Sequence, residues 1–243
     1  WHMMTAAEWG LVALHSLRLN TLPYGNTYDG IYYGAFGETG IRYKCASPSF
    51  AFTLTGSGPR TWSHNHREDG VYDLCGNADE MICGLRLIGN ELQYISDNNA
   101  AISEIDLGRN SSKWKPVTSG GKKVFIASTT DTDEVTISNN SCNLKDSVNL
   151  SKWRNVIVDV SPSLELLTEL ALFDGEPSSL FKADCNMSYE ILPTRGGNYA
   201  SRNQGGIFNI NLYYLRGNIG ASRGFRVAYY EKTPGHIRPM KET

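Results

Sequence analysis

Between Gly196 and Phe225 the chain has no Asp, Glu, Lys, His or Cys. That stretch cannot offer a carboxylate, an imidazole, an amine or a thiolate to a reaction. Other absences exclude further classes. With 23 basic and 25 acidic residues the net charge is -2, so no basic excess points to nucleic acid or an anionic membrane. No apolar run approaches bilayer length. The five cysteines, Cys45, Cys75, Cys83, Cys142 and Cys185, form no CxxC pair, which argues against a zinc site. Their odd number gives no clean disulfide framework; buried reduced thiols are the expectation, with one bridge left open. GxSxG and Gly-rich phosphate loops are absent. The opening "WHMMTAAEWG" lacks the basic and apolar regions of a signal peptide. Because it starts on Trp1, the sequence reads as a C-terminal part of a longer chain.

What remains is one domain's worth of sequence. The 243 residues are 40% hydrophobic and 20% charged, enough for a sizeable core, with no internal repeat or low-complexity linker. In "TAAEWGLVALHSL" Thr5 and Glu8 form a capping box. Trp9, Val12, Ala13 and Leu17 recur at helical spacing. "SPSLELLTELALFDG" predicts a second helix, capped by Ser161, with Pro162 in its first turn, Gly175 at its end and Leu164, Leu167, Leu170 and Ala171 as its buried stripe. Residues 22–40 are rich in Gly and Tyr and read as loop with short strands. "CGLRLIG" and "ELQYIS" predict a hairpin turning on Gly89 and Asn90. In "IFNINLYY" Phe208, Ile210 and Leu212 share one face, and Asn209, Asn211 and Tyr213 the other. "GFRVAYY" repeats the alternation with Phe225, Val227 and Tyr229. The sum is an α+β domain: two helices around an irregular antiparallel β core with long loops.

Three segments carry candidate chemistry. In "SHNH", His64 and His66 would share a face of a strand, as a metal pair requires; a polar turn before Gly70 is the simpler reading. In "REDGVYDLCGNADE", Asp73, Asp79 and Glu80 are hard-oxygen groups of the kind calcium accepts, without EF-hand spacing. The segment from 195 to 230 is crowded with Tyr, Asn, Ser, Gly and Arg. Tyr supplies rigid amphipathic area and Ser, Gly and Asn supply adaptable hydrogen bonding, the palette of a binding surface.

The motifs "WHMMTAAEW", "DGVYDLCGNADEM" and "RGGNY…LRGN…GFRVA" resemble, in order, those of the formylglycine-generating-enzyme (sulfatase-modifying factor) group. The resemblance runs from residue 1 to about residue 230 and implies a C-type-lectin-like fold over 1–243. Two departures stand out. The group's reactive cysteines fall between R-G-G and G-F-R, and here Asn198 to Arg223 contains none. Asp79 and Met81 replace aromatic residues. Within the same fold the chain is more similar to variable proteins of diversity-generating retroelements, in "TGSGPRTWSHN", "GLRLIGNELQYI" and "GGNY…GIFNINLYYLRGN…GFRVA".

That resemblance implies a non-catalytic protein displaying a hypervariable surface on a phage tail or bacterial cell surface, a homotrimer if a tail protein, binding a protein or glycan receptor. The positions matching the variable pattern are Tyr199, Ala200, Ser201, Arg202, Asn203, Gln204, Tyr213, Tyr214, Asn218 and Gly220. Phe208, Ile210, Leu212, Arg216 and Phe225 would be the fixed scaffold. Asn209 and Asn211 fit either role, and Arg202 and Arg216 are candidate charged anchors. The group's calcium turn maps onto Asp73, Gly76, Ala78 and Glu80, so a structural Ca²⁺ is the one cofactor implied. Two alternatives stay open: a sulfatase-modifying-type oxidase with its site elsewhere, and a lectin of fixed glycan specificity.

Overall fold

A computed structural model of the chain describes residues 1–44, 49–128, 135–141, 148–160, 164–173, 176–184 and 189–229. The described residues form a mixed structure, mostly sheet with few helices. The first helix, Ala6–Leu19, begins at the expected capping box: Thr5 Oγ1 accepts from the Glu8 amide at 3.1 Å and Glu8 accepts from the Thr5 amide at 2.9 Å. It ends at Asn20 in the left-handed region. Trp9 and Ala13 are fully buried, but Leu17 is exposed and Ser16 takes the inward place, its hydroxyl bonded to the Val12 carbonyl. The helical stripe therefore sits one residue round from the apolar spacing.

The second helix is shorter than its sequence suggests. It spans Glu165–Glu169, and Ala171 adopts a positive φ of 50° that no helix continues through. Leu167, Leu170 and Ala171 are buried as expected, while Leu164 is only half-buried. The proposed caps Ser161, Pro162 and Gly175 lie outside the described residues. The two helices cross closely at Gly10, where a Cβ would stand 1.9 Å from the Glu169 carbonyl oxygen.

One sheet holds twelve of the described strands. Its main path runs Val148–Lys152, Leu180–Asp184, Gly206–Leu215, Glu190–Gly196, Leu85–Ile88, Glu91–Ile95, Phe125–Ser128, Val135–Ser138, Val156–Asp159. Asp79–Met81 pairs with Glu190–Gly196 and with Arg223–Phe225. The Leu85–Ile88 and Glu91–Ile95 hairpin turns on Gly89 and Asn90 as expected, with Gly89 at φ 59°. The core expected to be antiparallel is mixed. Leu180–Asp184 runs parallel to Gly206–Leu215, Val135–Ser138 to Val156–Asp159, and Arg223–Phe225 to Asp79–Met81. Alternation in a sequence says which face a side chain takes; it carries no information on a neighbour's direction.

Gly206–Leu215 lies inside the sheet, between Leu180–Asp184 and Glu190–Gly196. Phe208, Ile210 and Leu212 are fully buried in one core with Trp9, Leu74 and Phe181. The register against Glu190–Gly196 shifts twice, and around this irregular stretch the indoles of Trp9 and Trp153 donate to the carbonyls of Ile207 and Phe208 at 2.8 and 2.7 Å. Arg195 is buried on the same side. Its guanidinium donates to the carbonyls of Leu170 (2.6 Å) and Ala171 (3.2 Å), capping the end of the short helix, and burial draws its pKa down to about 9. Phe225 and Val227 are exposed, so the second alternating segment shares a face but not a core. No helix among the described residues is long and apolar enough to cross a membrane.

Candidate functional site

The site begins where the Glu190–Gly196 strand ends. Gly196 and Gly197 both take positive φ, 83° and 77°, which turns the chain out of the sheet at "RGG". Backbone bonds then pin the loop. The Tyr199 amide donates to the Asn77 carbonyl (3.1 Å), the Asp29 amide to the Tyr199 carbonyl (3.2 Å), and the Arg202 amide to the Thr27 carbonyl (2.8 Å). Two polar side chains stiffen it further: Asn198 accepts from the Ala200 amide (2.9 Å) and Ser201 accepts from the Asn198 amide (2.8 Å). The loop's path thus depends little on the side chains of residues 199, 200, 202, 203 and 204.

Those side chains line an open groove. Tyr199, Ala200, Ser201, Arg202, Asn203 and Gln204 form one wall, with Tyr28, Asp29, Ser49 and Ala51 opposite, around about 640 Å³. Arg202 places its guanidinium 5.5 Å from the centroid of the Tyr28 ring. Asp29 is paired with Arg42 at 2.8 Å. Phe52 and Phe50 meet the Tyr199 ring edge-on at 5.0 and 6.4 Å. Residues 28–51 carry no motif, and sequence reasoning missed this second wall; the clustered tyrosines of 22–40 were its only signal.

Tyr213, Tyr214, Asn218 and Gly220 form a second group. Lys182 lies 3.6 Å above the Tyr213 ring and Arg223 4.0 Å from the Tyr214 ring, and the two tyrosines meet edge-on at 5.5 Å. Burial, followed by the nearby Asp79, pushes the Tyr214 hydroxyl above its ordinary pKa. Asn218 closes a tight turn with Leu215, accepting from the Leu215 amide at 2.7 Å. Asp79 stands between the two groups. Its carboxylate accepts from the side-chain amide of Asn198 at 2.7 Å, and its strand pairs Asp79 with Arg223.

The face of Gly206–Leu215 opposite the core is polar, as its alternation predicts, but not open. Asn209 and Asn211 are 2% and 7% exposed. Asn209 donates to the Gln204 carbonyl at 2.8 Å. Asn209 supports the loop from beneath, and both asparagines are buried rather than presented for contact. Arg216 is not a free anchor either: it grips Glu190 through two bonds of 2.7 and 2.8 Å.

At the proposed calcium turn, Glu80 and one oxygen of Asp73 are engaged by protein donors, while Asp73 Oδ1 is buried without one among the described residues. Glu80 accepts two bonds from Arg226, at 2.5 and 2.8 Å, and Asp73 accepts from the Gly56 amide at 2.7 Å. Burial pushes the Asp73 carboxyl above its ordinary pKa. Gly76, at φ 74°, packs against the Asn26 carbonyl, and Ala78 lies near Gly224. No group of three or more His, Cys, Asp or Glu side chains suited to a metal gathers among the described residues. His64 accepts from the Val71 amide at 2.9 Å and packs on His15, while His66 bonds the Leu22 carbonyl, so the pair forms a structured turn. Burial and then His15 lower the His64 pKa. Cys75 and Cys83 are free thiols with raised pKa values, owing first to burial; Cys83 reaches about 11. Cys45, Cys142 and Cys185 lie outside the described residues.

No protein-family model matches the chain. No curated protein matches it.

Proposed function

We propose that this chain is a non-catalytic binding protein with a C-type-lectin-like fold, presenting residues 199–204 and the Tyr213–Gly220 arm to a receptor on a cell surface, from a phage tail or a bacterial surface. One observation carries the reading. The loop that bears Tyr199 to Gln204 is held by backbone bonds to Asn77, Thr27 and Asp29, while its side chains line an open groove. Such a loop keeps its shape when the side chains of residues 199, 200 and 202–204 change, which is what a diversified surface requires, and Ser201 holds it from within. The lining suits contact chemistry: aromatic rings, amides, one guanidinium and one carboxylate already paired. Neither described thiol lines the groove, and burial keeps both protonated at neutral pH.

Two experiments test this. Sequencing the encoding locus looks for a near-copy of the gene's 3′ end that differs only where the template has adenine; its presence supports diversification. Binding of the purified chain to a panel of intact bacterial cells is then compared with an Arg202→Gly, Asn203→Ala, Gln204→Ala triple variant. Lost binding with an unchanged melting curve supports the assignment. Full binding by the triple variant sinks it.

A further inference from the structure

Resting on that reading of the groove, we infer that its occupant is a neutral, hydroxyl-rich glycan segment, recognised jointly by the Tyr28 wall and the Arg202–Gln204 wall. The first argument is charge. Among the described residues the lining carries one carboxylate, Asp29, and one guanidinium, Arg202, and Asp29 is already paired with Arg42. A phosphorylated or acidic ligand would meet no cluster of cations here, and a basic peptide no cluster of acids.

The second argument is hydrogen-bonding type. The side-chain amides of Asn203 and Gln204 are exposed and make no hydrogen bond to any described residue. Each offers both an N–H donor and a carbonyl acceptor in one plane. Neighbouring hydroxyls on a sugar ring also donate and accept at once, so they match such amides without leaving either half unsatisfied. A carboxylate or an ammonium group would match only one half.

The third argument is aromatic surface. Tyr28 remains 38% exposed at the groove. Its ring continues outward through Tyr33 (5.7 Å) and Phe36 (6.0 Å), which are 37% and 65% exposed. The C–H faces of a sugar carry slight positive charge and pack on the negative faces of such rings. The volume of about 640 Å³ holds a few sugar rings; it is a groove, not the broad flat area that a folded protein partner buries. Tyr28, Tyr33 and Phe36 lie outside the 195–230 segment, so the aromatic platform would be fixed while residues 199–204 adjust the hydrogen bonding to the particular glycan.

The test uses the purified chain on a printed array of neutral oligosaccharides and on intact bacterial cells treated with periodate, which cleaves vicinal diols, or with protease. The expected result is array binding, with cell binding lost to periodate and kept after protease. Tyr28→Ala and Asn203→Ala should each weaken it about tenfold or more, while Tyr28→Phe retains it; melting curves confirm that the variants fold. Cell binding that is abolished by protease, survives periodate and still needs Asn203 would overturn the glycan assignment and leave the binding function standing. No binding to the array or to any cell would overturn both.

Discussion

Asn198 donates to Asp79 at 2.7 Å, across 119 residues of sequence. This bond ties the start of the groove loop to the strand Asp79–Met81, whose parallel neighbour carries Arg223. Burial pushes the Asp79 carboxyl above its ordinary pKa, and the Asn198 bond, Arg223 and Lys182 oppose that push. A carboxyl raised in the folded state binds protons more tightly there than in the unfolded chain. Its ionisation therefore costs stability as pH rises from the ordinary value through the folded one. Asn198→Ala removes the bond that favours the ionised form. We expect a loss of about 1.5–3 kcal/mol with Asp79 ionised and about 1 kcal/mol with it protonated, so that the loss grows from pH 4 to pH 7. Urea denaturation at both pH values checks this; equal losses would place the bond's worth elsewhere than in the charge.

Gly10→Ala sets two effects against each other. Within a helix Ala is favoured over Gly by about 1 kcal/mol. Here the new methyl would stand 1.9 Å from the Glu169 carbonyl oxygen, a backbone atom that cannot swing aside. Forcing the two helices apart costs about 1–3 kcal/mol beyond that gain. A melting temperature lowered by several degrees is expected, and an increase would mean that the crossing has slack.

How much of this was legible follows from what each signal encodes. The capping box at Thr5 and the hairpin on Gly89 and Asn90 are local, and local chemistry decides both. The inward set Phe208, Ile210 and Leu212 was readable because alternation is a property of one strand. The fate of Asn209 and Asn211 was not, since whether a polar strand face is covered depends on tertiary packing that alternation does not encode. Residues 199–204 stood out by composition, but Tyr28, Asp29, Ser49 and Ala51 join them only through folding. The short second helix has the same origin. Ala171 leaves the helical region where Arg195, 24 residues away, accommodates the freed carbonyls. No propensity scale holds that information.

Glu190 sits between Arg86 and Arg216, with bonds of 2.7–2.8 Å to both, and is almost wholly buried. Burial raises its pKa, but the hydrogen bonds from Arg216 and Arg86 outweigh that and hold it below the ordinary carboxylate range. The sign is thus opposite to that of Asp79. The stability it supplies is present above the ordinary value and disappears as pH falls through the lower, folded one. Glu190→Gln leaves Arg86 buried without its acid, a loss of about 3 kcal/mol at pH 7. The gap between variant and parent should narrow as pH falls below the ordinary carboxylate value and through the lower, folded one. A gap that stays constant with pH would mean that shape, not charge, holds the three together.

A surface meant to vary must contribute little to stability at the positions that vary, and the burial pattern makes that measurable. Asn203 and Gln204 are exposed, so Asn203→Ala with Gln204→Ala should shift stability by less than about 0.5 kcal/mol. A few residues on, Asn209 is buried with a 2.8 Å bond to the Gln204 carbonyl, and Asn209→Ala should cost about 1 kcal/mol. Next to it, Phe208 is fully buried, and Phe208→Ala should cost about 3–5 kcal/mol. Chemical denaturation of the three variants would thus separate exposed from buried positions steeply within seven residues of chain. If the Asn203 and Gln204 pair proved as costly as Asn209, the loop would depend on its own side chains. The backbone bonds to Asn77, Thr27 and Asp29 would then not suffice to hold it, and the case for a tolerant display surface would fall with them.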